Sequence, residues 1–169
     1  MAGVPIEIDD RLTEALNRAL AAAEDLSVPM SEIAGYGEMS TKLRFRDQKA
    51  PDGTPWTPSK RARDEGGLTL VLSGDLRSSI GSESGSDFAE WGPERSFGAA
   101  VYAAIHQWGG TIRPRGKAAG GSDALRTPAG PRAAVTLSAR PYLGLSAEDR
   151  DEIGDVLIRH LNTAFGASA

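Results

Sequence analysis

The stretch "APDGTPWTPS", residues 50–59, constrains this chain more than any other part of it. It holds three prolines and a glycine in ten residues. Each proline fixes φ and lacks a backbone donor, so the segment can be neither a helix nor a central strand. Pro51-Asp52-Gly53 reads as a tight turn, with proline setting the first corner and glycine free to take a positive φ. Trp56, held between Pro55 and Pro58, is predicted to be a plug packed on the domain. The chain is thereby divided into a helical part before residue 50 and a part of short segments after it.

The helical part opens with "IDDRLTEALNRALAAAEDL", residues 8–26. Ile8, Leu12, Leu16, Leu20 and Ala23 recur at a spacing near four, and Ala15 and Ala19 widen the stripe. This predicts an amphipathic helix that buries its leucines, with Asp9 or Asp10 as cap. A second helix follows, with Ser27 as its cap and Pro29 in its first turn. Met30, Ile33, Met39 and Leu43 form its apolar side, and Gly35 and Gly37 predict a bend or break.

After the proline segment, "SKRARDEGG" reads as mobile and "LTLVL" (68–72) as a short apolar run. Ser73 is a cap candidate for a brief helix, "GDLRSSI", with Leu76 and Ile80 on one face. "GSESGSDFAEWGP" (81–93) predicts a hairpin. "AAVYAAIHQWGG" predicts a short helix with Val101, Ile105 and Trp108 inward and Gly109 as its left-handed stop. Residues 111–133, rich in glycine, proline and arginine, predict an extended hairpin arm or a long basic loop. Val135 and Leu137 suit a strand. In the last segment Ser146 and Asp149 resemble a capping box, and Ile153, Val156, Leu157, His160, Leu161 and Phe165 form the stripe expected to be buried. The sum is an α+β fold. Two N-terminal helices and a C-terminal helix pack on a small antiparallel sheet, with a basic arm, in one domain over 1–169.

Composition narrows the chemistry. The chain has 169 residues and no cysteine, which excludes disulfides, zinc–thiolate sites and thiol catalysis. No apolar run approaches the roughly 20 residues of a membrane span, so no membrane partner is expected. The start, "MAGVPIEIDD", lacks the basic and apolar regions of a signal peptide. The net charge of −4 hides a segregation. Residues 7–38 are acidic, as is the last helix. Bases gather in "KLRFR" (42–46), "KRAR" (60–63) and the arm with Arg113, Arg115, Lys117, Arg126 and Arg132. This is either a solvated surface or an acidic and a basic face suited to head-to-tail contact between copies.

No catalytic pattern emerges. Ser73, His106 and Asp75 could be offered as a triad, but "LSGDL" lacks the G-x-S-x-G elbow and nothing places Ser73 beside His106. His106 and His160 lie far apart and neither begins a metal-ligand spacing, so no metal and no cofactor is expected. Asp149, Asp151, Glu152 and Asp155 are dense but spread over a solvated helical face. "GKAAGGS" has glycine and lysine in the wrong order for a phosphate loop. Both histidines read as satisfied structural residues. The basic loops could touch phosphates, but no aromatic residue lies between Trp108 and Tyr142 to stack on a base. Any contact with passing DNA would therefore be nonspecific.

Four stretches, in order, carry a resemblance: "FRDQKAPDGTPWTPS" (45–59), "LVLSGDLRSSI" (70–80), "VYAAIHQWGG" (101–110) and "ARPYLGLSAEDRDEI" (139–153). Together they resemble the phage virion morphogenesis family, the tail completion proteins of Mu-type and related tailed phages. The likeness spans nearly the whole chain except 111–133, where members vary.

The resemblance implies a non-enzymatic structural protein of the virion, assembled in the host cytoplasm. It implies a place at the neck or top of the tail, in tail completion and head–tail joining. It implies a ring of identical copies, six-fold to match the tail tube, beside tail tube or terminator and head–tail connector proteins. A nonspecific DNA-binding module using the basic loops is the alternative. The residues expected to hold loops to the core or line a subunit contact are Pro51, Gly53, Trp56, Ser73, Gly74, Leu76, Tyr102, His106, Trp108, Gly109, Arg140, Pro141 and Tyr142. Trp56, His106, Trp108, Arg140 and Tyr142 are expected to sit together. Arg113, Arg115, Lys117, Arg126 and Arg132 are the candidates for subunit or DNA contact.

Overall fold

The computed structural model describes residues 11–94, 100–114, 125–127 and 130–166. Ile8, the cap candidates Asp9 and Asp10, and the arm residues Arg115 and Lys117 lie outside these, as does the side chain of Arg126. Among the described residues the fold is α+β, and the strands form three separate antiparallel pairs.

Helices α1 (Arg11–Glu24) and α2 (Ser27–Asp47) are joined by a two-residue corner. Ser27 is the first residue of α2 and not its cap. Its N–H (2.9 Å) and its hydroxyl (2.5 Å) both donate to the Asp25 carboxylate, which organises the corner instead. Helix α2 has 21 residues and is continuous through Gly35 and Gly37, so the predicted break is corrected. Gly37 serves packing: a Cβ there would stand 2.4 Å from the Trp91 ring. Trp91 belongs to the hairpin of β1 (Ile80–Ser84) and β2 (Ala89–Pro93), paired in register Ser82↔Trp91 and laid against α2.

The last helix, α6 (Ala147–Gly166), runs antiparallel to α2. Its start meets the end of α2 through Asp149 with Ser40 and Arg44, and its middle meets the start through Arg159 and Glu32. Beyond that point α6 turns to α1 for a partner. Arg18 Nε donates to the Ala164 carbonyl (3.2 Å), and the His160 ring pairs with the Ala22 carbonyl (3.1 Å). So α6 is a splint, with one half on α2 and the other on α1.

This arrangement corrects the reading of the α1 stripe. Ala19 is the buried residue of α1, while Leu12, Leu16 and Leu20 are 70%, 51% and 59% exposed. The small alanines let α1 approach α6 closely, and that leaves the leucines on the flank. Ile158 and Phe165 of α6 are exposed as well.

Between α2 and the last helix, on either side of the hairpin, the chain is knitted from short pieces. Segment 60–67 is ordered, contrary to expectation. Ser59 caps α3 (Lys60–Asp64) by accepting from Ala62 N–H (3.1 Å), and Arg61 donates to the carbonyls of Gly66 (3.2 Å) and Leu68 (2.5 Å). Residues 68–72 form no strand, and Leu70 takes a left-handed φ of 64°. Helix α4 (Asp75–Ser78) leads into β1, and helix α5 (Ala100–Trp108) into β3 (Gly110–Ile112), which pairs with β6 (Val135–Leu137). Strands β4 (Leu125–Thr127) and β5 (Gly130–Arg132) pair within the arm.

Candidate functional site

The core is small and sits where the four motifs meet. Its buried members are Phe45, Ala50, Trp56, Leu76, Ile80, Ala103 and Tyr142. Phe45 is wholly buried between two rings, Trp56 edge-on at 5.5 Å and Tyr142 tilted at 5.3 Å. Such pairs add about 0.5–1.5 kcal/mol each beyond the area they bury.

Polar groups lock these rings. Gly53 closes the turn through its N–H to the Ala50 carbonyl (2.9 Å) at φ 83°, and Pro51 packs against Gly144. The turn delivers Trp56, whose Nε1–H donates to the Pro141 carbonyl (2.9 Å). Arg140 is 7% exposed and donates Nε–H to the Thr57 carbonyl (2.8 Å), while its own N–H bonds the His106 carbonyl (2.7 Å). The Tyr142 hydroxyl donates to the Ala103 carbonyl (3.2 Å), and burial pushes the phenol pKa up to about 12. Leu76 is buried in the same core, delivered by α4. Gly74, at φ 87°, occupies the N-cap of α4, and Ser73 precedes it, a correction to Ser73 as cap.

Trp108 does not join this cluster. It is 77% exposed, and α5 turns Ala103 and Gln107 inward instead. The reason is Gln107. Its Oε1 accepts from the N–H groups of Tyr142 and Leu143 (both 3.0 Å), and its Nε2 donates to the Leu143 carbonyl (3.0 Å). A buried amide that satisfies three backbone groups outweighs an apolar residue at that edge. Gly109 ends the helix at φ 71°, and a Cβ there would lie 2.7 Å from the Ala139 nitrogen.

Three further residues hold the joint. Gln48 takes the left-handed C-cap of α2 and clamps Thr69 on both sides, Oε1 accepting from its N–H (2.6 Å) and Nε2 donating to its carbonyl (3.0 Å). Arg44, read as one of a basic surface run, is buried. It donates to the carbonyls of Tyr142 (2.8 Å) and Gly144 (2.9 Å) and forms an ion pair with Asp149. Asp149, read as part of a solvated face, is also buried, and exchanges bonds with Ser146 in a capping box. Burial raises the Asp149 pKa, but the bonds from Ser40 and Ser146 and the charge of Arg44 hold it below the ordinary value. A glutamine just before a proline turn was the available signal for Gln48. Nothing in the sequence marks the long-range pair.

Above the joint lies a groove of about 610 Å3, walled by α3, α5 and β6. Tyr102 and His106 line it, their rings edge-on at 5.9 Å, together with Ser73, Asp75 and Arg140. The triad candidates thus share one groove without forming a triad. Ser73 Oγ donates to Asp75 (2.7 Å), and the buried His106 Nδ1 has no partner. Burial first, and the charge of Arg140 second, lower the His106 pKa and so disfavour the charged imidazolium. The Ser73 hydroxyl is held by the Asp75 carboxylate and not by the imidazole, so the three groups are not in the nucleophile–imidazole–carboxylate order of a triad. Among the described residues there is no group of three or more metal-ligating side chains, and no helix is long and apolar enough to cross a membrane. Of the arm bases, Arg113 and Arg132 are exposed.

The joint draws its buried residues from all four motifs. The model of the phage virion morphogenesis family matches residues 8–162. The chain belongs to the phage virion morphogenesis family. It is also 32% identical over 164 residues to the protein named "Putative capsid assembly protein G" of Escherichia phage Mu, covering 92% of this chain and 91% of that one. No solved structure matches it. A virion morphogenesis protein acts in building the phage particle.

Proposed function

We propose that this virion morphogenesis protein completes the phage tail and readies it for joining to a DNA-filled head, working as a closed ring at the neck or the top of the tail. The observation that supports this reading most is the division of labour among its side chains. Polar groups of the motifs such as Gln48, Gln107, Arg140 and Asp149 are spent inside the joint, while large apolar residues stand exposed on separate faces, at Leu12, Leu16, Leu20, Leu72, Trp108 and Ile158. A contiguous apolar strip such as Leu12, Leu16 and Leu20 is the kind of surface that a chain working between copies and neighbours presents to them. A ring needs two unlike patches on each copy and a rotation that closes. Its neighbours are then tail tube or terminator proteins below and head–tail connector proteins above, with the ring assembled in the host cytoplasm before it joins the particle. No reaction is required of it.

The reading is tested by deleting the gene and viewing the lysate by electron microscopy. Filled heads and separate tails, restored to whole particles by adding the purified protein, support it. Whole, infectious particles in the deletion lysate contradict it.

A further inference from the structure

Resting on the ring reading, we propose which two faces meet. The outer face of α1 and α6 on one copy packs on the cationic groove between α3 and α5 of the next.

The donor face is built by geometry. The Arg18–Ala164 and Ala22–His160 contacts make α1 and α6 antiparallel neighbours. With side chains advancing 100° per residue, the Leu12–Leu16–Leu20 stripe and the Ile158–Phe165 stripe fall on the same side of the seam. Five large apolar side chains, each about half or more exposed, thus form one strip. Its border on α6 is acidic, with Asp151 and Asp155 exposed and next to Ile158 in the helical register. Of the two arginines of α6, Arg159 is turned away and held by Glu32 (2.6 Å), and Arg150 reaches back to the Ser146 carbonyl (3.4 Å).

The acceptor face has the opposite character. Lys60, Arg61, Arg63 and Arg140 line the groove, with Asp75 as the one carboxylate among its lining residues. Leu72, 79% exposed, and Tyr102 give it an apolar wall. Arg61 and Arg140 are occupied by backbone carbonyls and exposed Lys60 pairs with Asp64, which leaves Arg63, exposed, as the open cation at the rim.

Charge decides between the possible pairings. Two donor faces packed on each other would set Asp151 and Asp155 against their own copies, and two grooves would set bases against bases. Like charges at an interface cost several kcal/mol, whereas the unlike pairing joins acids to bases around an apolar centre. It is also head-to-tail, the arrangement that closes into rings.

The test is charge exchange, read as sedimentation mass over a concentration series, alone and with tails lacking this protein. K60E/R63E and D151K/D155K each alter exposed groups, so circular dichroism should stay unchanged. Each should raise the concentration at half-assembly about tenfold or more, and the four changes together should restore it. L16D should abolish assembly in a folded chain. If the wild type assembles and the single-face variants assemble equally well, or the fourfold variant fails to recover, the pairing of faces is wrong while the ring stands. A wild type that stays monomeric with and without tails overturns the ring reading itself.

Discussion

Arg44 and Asp149, 105 residues apart in sequence, form a buried ion pair that fastens the end of α2 to the start of α6. Each partner also serves the backbone, Arg44 through two carbonyls and Asp149 through the Ser146 N–H. Removing only one partner leaves a buried charge alone. Asp149→Ala should destabilise the fold by about 3–5 kcal/mol. Denaturant unfolding of the variant checks this, and a loss under 1 kcal/mol would show the pair to be open to water.

The same pair fixes the acid limit of the fold. The Asp149 carboxyl is held below its ordinary value of 3.8, so the folded state binds its proton less readily than the unfolded chain does. Its contribution is complete above that value and is lost as pH falls through the lower folded pKa. Melting curves should drop in this acid range, and Asp149→Asn should flatten the drop.

Tyr142 fixes the alkaline side. Its phenol, raised to about 12 from 10.0, favours the neutral folded form. Stability from this source is intact below pH 10 and declines as pH rises toward the folded value. Tyr36 is also raised, by burial and by Asp149, so absorbance titration should show late tyrosine ionisation from both, and Tyr142→Phe should remove its part at a cost of about 1 kcal/mol from the lost bond to Ala103.

Gly35 and Gly37 sit two residues apart in α2 and should respond oppositely. Space is open at Gly35, so Gly35→Ala should stabilise the helix by about 0.5–1 kcal/mol. Gly37→Ala drives a methyl into the Trp91 ring and should cost about 1–3 kcal/mol, with a shift in tryptophan fluorescence. Equal effects at the two sites would refute the close approach.

His106 should behave as a neutral wall. Its pKa is lowered by burial and by Arg140, so the charged form is disfavoured in the fold. Stability from this group is present above 6.5 and lost as pH falls through the folded value. Proton NMR of the imidazole should show a midpoint below 6.5, and a midpoint above it would mean an unseen acidic partner.

These residues also show what the sequence made legible. Local patterns were readable because they are local: the Pro51–Gly53 turn, the left-handed stop at Gly109, the hairpin around 85–88 and the Ser146–Asp149 box each follow from a few neighbouring residues. Contacts across the chain were not. Arg44 looked like surface charge because its partner lies 105 residues on, and Gln107 looked incidental beside His106 and Trp108 because its partners are backbone groups of 142 and 143. The leucines of α1 were misplaced for a different reason. Period reveals an apolar face but not what covers it, and within one copy the alanines, not the leucines, meet α6.

The central claim is that copies of this chain close into a ring at the junction of tail and head. Native mass spectrometry of the protein, alone and released from completed tails, tests it most directly. A closed ring gives a single multiple of the subunit mass, six copies for a ring matched to the tail tube. A monomer in both preparations, or an open series of masses with no preferred size, would contradict it.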